Sequence, residues 1–205
     1  MKKLKIITSI IVAVFCMLLF YKYAFKTYYE VNKELPDDLT SGKSLVECAR
    51  KIVEEDSGKE FDVGEVYMIL DSELKGEVQV TLVEKKEKKP LLVDVDFDTK
   101  SNKLLSFNYV SWHSKLDPGL INFQDWEIDY TEAIEISKEF FSQAAGLRFD
   151  RILMYTVNSH PSKDKDWEAW MVDFFDDQNK KKYYARIEPY TGEILRHSIS
   201  EYFNS

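Results

Sequence analysis

The chain has 205 residues, 28 basic against 36 acidic, and a formal net charge of −8. A hydrophobic share of 44% with only seven glycines and five prolines provides for a packed core and excludes a disordered or low-complexity chain. The excess of acid excludes the basic footprint that nucleic-acid binding needs.

The chain opens on "MKKLK", continues with the charge-free run "IITSIIVAVFCMLLFY" from Ile6 to Tyr21, and then reaches Lys22 and Lys26. Such a pattern is either a signal peptide or a membrane anchor. Lys5 and Lys22 are placed to snorkel to the two interfaces, and Tyr21, Tyr23 and Phe25 suit an aromatic belt. A cleavable signal needs small residues just before the cut, whereas Lys22 lies two positions before Ala24; Cys16 follows Phe15, where lipid attachment would need a small residue. Residues 1–26 therefore read as a cytoplasmic tip and an uncleaved transmembrane helix, with Lys2, Lys3 and Lys5 holding the N-terminus in the cytoplasm. Everything after residue 26 is then extracellular. It carries 23 basic against 36 acidic residues, a charge of −13, and Cys48 as its one cysteine, so it folds without an internal disulfide. That cysteine usage fits a bacterial cell envelope.

Residues 27–40, with the cluster "PDDLTSG", read as a stalk. The next stretch, "SLVECARKIVEEDSG", predicts a helix: Ser44 and Glu47 have capping-box spacing, and Leu45, Val46, Cys48, Ala49, Ile52 and Val53 form one face. Shifted by 88 residues, "AIEISKEFFSQAAG" places Ala133, Ile134, Ile136, Ser137, Phe140 and Phe141 at the same points, after Asp129 and Glu132 as a start signal. Gly58 matches Gly146, Phe61 matches Phe149, Asp62 matches Asp150 and Tyr67 matches Tyr155, so helix exit and first strand are duplicated too. Second strands follow as "EVQVTLVE" and "DWEAWMVDFF", then lysine-rich turns, then third strands "LLVDVDF" and "YYARIE". Each copy ends on a hairpin, "FDTKSNKLLSFN" and "IEPYTGEILRHS", in which Asn102 and Gly192 fall where the turn needs positive φ.

The organisation is thus one α+β unit read twice: a helix followed by four antiparallel strands, over 41–110 and 129–205, with 111–128 as an aromatic-rich linker that packs rather than dangles. Units of ~70 residues are near the lower limit for independent folding, which predicts that the halves pack on each other. The second copy, "YARIEPYTGEIL", is similar to the "iD..tGeil" ending of the PepSY family, with Glu188 in place of Asp; the first copy, "VDVDFDTKSNKLL", lacks the glycine. The resemblance implies cystatin-like domains, a helix against an antiparallel sheet, that bind and restrain peptidases outside the membrane. It supplies no catalytic residue.

Chemistry is sparse. Asp94, Asp96 and Asp98 have the spacing of a calcium loop, but Thr99 stands where that loop needs glycine and Leu105 where it needs glutamate; strand alternation instead puts Val93, Val95 and Phe97 in the core and the aspartates in water. His113, His160 and His197 have no zinc-ligand spacing, and Glu188 with Glu193 at the turn is a bare acid–base pair without a cleft. We expect a non-enzyme with no cofactor and no metal. Candidate partner-binding residues are Trp167 and Trp170, which a strand would point to opposite faces, and Tyr190 and Glu193 at the turn. Packing of the tryptophans against Trp112 or Trp126 would serve the core instead. The expected function is that of a membrane-anchored extracytoplasmic binding protein, restraining or stabilising a peptidase or cell-wall hydrolase; the alternative is a structural or assembly subunit of an envelope complex.

Overall fold

A computed structural model of the chain describes residues 33–35, 41–85, 90–110, 120–158 and 168–202. The anchor read in residues 1–26 lies outside them; among the described residues no helix is long and apolar enough to cross a membrane. The elements in chain order are β1 (Lys33–Glu34), α1 (Gly42–Ser57), β2 (Phe61–Asp71), β3 (Gly76–Glu84), β4 (Leu92–Asp98), β5 (Lys103–Val110), a 3-10 turn (Phe123–Asp125), α2 (Tyr130–Ala145), β6 (Arg151–Asn158), β7 (Glu168–Asp176), β8 (Lys181–Ile187) and β9 (Ile194–Glu201).

Both helices end as the sequence predicts. Gly58 and Gly146 adopt left-handed φ of 68° and 63°, and their N–H groups donate back to Glu54 and Ser142. The start of α1 differs from expectation: the N-cap is Ser41, with Ser44 at N3 completing the reciprocal capping box, rather than Ser44 with Glu47. Ser41 precedes Gly42, whose buried backbone has no room to spare; a Cβ there would meet the Phe123 ring at 3.1 Å. Leu45, Val46, Ala49 and Val53 of α1 and Ala133, Ile134, Ser137 and Phe141 of α2 are the buried face of each helix, at the matching positions the repeat requires.

The strands form one antiparallel sheet in the order β1-β5-β4-β3-β2-β6-β7-β8-β9. The two repeats are therefore not separate sheets joined by a linker. Their first strands, β2 and β6, pair with each other, and Tyr67 lies opposite Tyr155, the residue it matches in the repeat. A pseudo-two-fold axis passes between those two tyrosines. Helices α1 and α2 both lie on one face of this sheet, α1 over β2 and β3, α2 over β7 and β8. Alternation then sorts the side chains: Val78, Val80, Leu82, Val93, Val95 and Phe97 are buried beneath α1, and Val172, Phe174, Tyr183 and Ala185 beneath α2.

Residues 120–128, the described part of the linker, pack as expected. Ile121 bridges to Val63 of β2, and Phe123, Trp126 and Trp170 stack with ring centroids 5.1–5.5 Å apart in the core. Trp170 donates its indole N–H to the Ile128 carbonyl at 2.8 Å. Beyond it, Asp129 caps two helices at once. Its carboxylate accepts from the Tyr130 N–H at 2.6 Å and from the Gly42 N–H of α1 at 3.0 and 3.1 Å, joining the N-termini of both units through one side chain.

Because one carboxylate serves two caps, Asp129→Ala is expected to cost about 1–3 kcal/mol in urea unfolding, more than Ser41→Ala at about 1 kcal/mol. Equal losses in the two variants would show that the shared cap adds nothing.

Candidate interaction surface

Among the described residues, the face of the sheet away from the two helices carries no helix and is built from the alternate residues of each strand. Its centre, along the β2–β6 junction, is apolar and aromatic: Tyr67, Leu153 and Tyr155 are half-buried, and Ile69 is 41% exposed. Beside it, Tyr67, Ile69, Gln79, Asp96, Leu105 and Ser106 line a depression of ≈ 310 Å³.

The two repeats put opposite charge on this face. In the first, Glu65, Asp94 and Asp96 come together on β2 and β4. Asp94 accepts from the Thr81 hydroxyl at 2.6 Å, and Asp96 from Gln79 at 2.9 Å and Ser106 at 2.7 Å. These aspartates point away from the core as the alternation predicts, but they are half-buried rather than bathed in water. Burial pushes the Asp94 carboxyl above its ordinary value against the Thr81 hydrogen bond, with the Asp96 charge adding to the rise; burial and the Asp94 charge push Glu65 up as well. In the second repeat the same face carries Lys182, Arg186 and Arg196, and the two arginines lie directly opposite one another on β8 and β9. Its buried acid, Asp173, is bridged by Lys182 at 2.8 Å, yet burial outweighs the lysine and raises the carboxyl.

The sequence-predicted residues divide. Trp167 lies outside the described residues. Trp170 has no accessible surface: it is a core residue of the Phe123–Trp126 stack, and so presents nothing to a partner. Tyr190 (43% exposed) and Glu193 sit together on the β8–β9 turn. The Tyr190 hydroxyl donates to Glu168 at 3.2 Å, and Glu168 also accepts from the Trp126 indole at 2.7 Å. Burial first, then the neighbouring Glu168 carboxylate, pushes the Tyr190 phenol up to about 12. Glu188 does structural work, accepting from the Tyr190 and Thr191 N–H groups at 2.9 and 2.6 Å and from the Thr191 hydroxyl at 2.8 Å. Its counterpart Asp98 accepts from the Lys100 N–H and the Ser101 hydroxyl, and Asn102 and Gly192 take the positive φ of 53° and 75° that the turns require. His197 stacks on Phe140 on the helix side, whereas His113 and His160 lie outside the described residues. Among the described residues no group of three or more histidine, cysteine or acidic side chains is arranged to hold a metal.

Sequence reasoning passed over Tyr67, Ile69, Arg186 and Arg196. The signal was present, because strand alternation fixes which residues share the face opposite the core, and the repeat sets Arg186 against Asp96 and Arg196 against Ser106.

No protein-family model matches this chain, and no curated protein does. The crystal structure of a Clostridium difficile 630 protein, provisionally described as a lipoprotein, is similar to it at 13% identity and a TM-score of 0.48, covering 74% of this chain and 90% of that one.

Two pH-dependent outcomes follow from these groups. A carboxyl raised in the folded state contributes stability below its ordinary value of 3.8 that is lost as pH rises through the folded-state value, so Asp94→Asn should unfold at higher urea than wild type at pH 7 and match it at pH 3. A raised phenol behaves with the same sign: the Tyr190–Glu168 contribution holds below pH 10.0 and is lost as pH approaches about 12. Difference titration of phenolate absorbance between wild type and Tyr190→Phe should show one tyrosine ionising near that value, and Glu168→Gln should bring it down.

Proposed function

We propose that the protein is a single-pass, membrane-anchored binding protein of a bacterial envelope, its two PepSY-like, cystatin-like units displayed outside the cell to restrain or stabilise a peptidase or cell-wall hydrolase. The observation that carries this reading is the terminal strand β9. It is eight residues long, and among the described residues it pairs with β8 alone. Leu195 and Ile199 along it are 38% and 46% exposed, and Tyr190 on the turn before it 43%. The corresponding outer strand of the first unit, β5, is covered at its start: Lys33 and Glu34 pair with Leu104 and Lys103, and the Leu35 N–H donates to the Asn102 carbonyl at 3.1 Å. An extended segment of the chain itself thus adds to the start of one outer edge, and the matching edge of the second unit is suited to an extended segment of a partner, whose backbone would find a row of donors and acceptors along β9.

Supporting this reading are the charge-free run Ile6–Tyr21 between lysines, the duplicated unit with its "TGEIL" turn, and the commitment of Glu188 and His197 to structural contacts. The test is a photoactivated crosslinker placed at Leu195 of the full-length protein in cells. Capture of one peptidase or wall hydrolase is expected, with Ile199→Asp reducing the yield about ten-fold or more. Recovery of a multi-subunit assembly without a hydrolase would instead favour the assembly subunit. Capture that ignores Ile199→Asp would remove β9 as the contact.

A further inference from the structure

The helix-free face is distinct from the β9 edge, and its charge pattern raises a separate question. Glu65, Asp94 and Asp96 crowd one side of the β2–β6 junction, and Arg186 and Arg196 form a like-charged cross-strand pair on the other. Neither group relieves the other within one chain. Asp96 on β4 and Arg186 on β8 are five strand spacings apart, about 24 Å, well beyond the ~8 Å screening length at physiological salt. Between them lies the apolar strip of Tyr67, Ile69, Leu153 and Tyr155, of which Ile69 is 41% exposed.

We propose that this face binds the same face of a second copy of the chain, about a two-fold axis running parallel to the central strands β2 and β6. Such a rotation lays the acidic half of each copy over the basic half of the other and stacks the two apolar strips on one another. The other way of stacking two such faces, with the axis across the strands, sets acid on acid and arginine on arginine, so the charges choose one arrangement. The same axis keeps β1 of both copies at the same end of the strands, on opposite edges, which suits two anchors in a single membrane; that point alone rests on the proposed function. Eight strands at ~4.8 Å spacing and about 20 Å in length present about 700 Å² per copy, close to the ~800 Å² per partner of a stable interface. Aligned stacking of twisted sheets about 10 Å apart is an ordinary packing geometry.

In this arrangement Arg186 lies over Asp96 of the second copy and Arg196 over Ser106 and Asp96 of that copy. Arg196 is exposed on an edge strand and Ser106 half-buried, so both accept substitution without loss of core. Light scattering after gel filtration of the full-length protein in detergent micelles should give a dimer. Arg196→Glu should weaken it about ten-fold or more with an unchanged melting temperature, and Ser106→Lys should weaken it likewise. The two changes in one chain set lysine over glutamate and should restore the dimer. A monomeric wild type, a dimer indifferent to Arg196→Glu, or a double variant no better than the singles would each overturn the proposal.

Discussion

The hydrogen-bonded junction between β2 and β6 is what the remainder of the molecule rests on. Each repeat is a four-strand meander that starts at its inner edge, so β2 and β6 would each expose a row of unpaired N–H and C=O groups if the units stood apart. Pairing them satisfies both rows and leaves one sheet with two helices on one side. It also brings the starts of those helices together, which is why a single carboxylate, Asp129, reaches the first amide of each. The linker tryptophan Trp126, seated against Trp170, closes the gap that two short helices leave over so wide a sheet.

With the core face committed to packing, divergence between the copies has collected on the opposite face. Beneath the helices the repeats match in kind, Val53 by Phe141 and Ala49 by Ser137. On the bare face one copy has turned acidic and the other basic. Desolvation and mutual repulsion displace the Glu65 and Asp94 carboxyls upward on that face. A surface that retains such groups is built for something other than stability.

Much of the fold was legible in the sequence because it is written locally. Helical periodicity marked both helices, alternation marked eight strands, and asparagine and glycine marked the two positive-φ turn positions. What escaped depends on contacts across the chain. The repeat announced two units but carried no mark saying that their first strands would pair, since an inner edge strand and a central one alternate alike. Ser41 and Ser44 both have cap chemistry, and only the close packing of Gly42 against Phe123 and Asp129 decides between them. Leu74 and Lys180 take positive φ with no side-chain signal, held by the hairpins on either side. The candidate site fared less well, because tryptophan is at home in a core and at an interface alike; Trp170 went to the core.

The dependence of β2 on β6 has a consequence in time. A chain emerging N-terminus first completes α1 and the strands β2 to β5 at Val110, while β6 begins only at Arg151, 41 residues later. At ~5–20 residues per second that interval lasts about 2 to 8 s, during which the edge of β2 stands open. The nascent half must be shielded or held unfolded until its twin arrives, so maturation of this protein is paced by delivery of its second half rather than by the folding of its first.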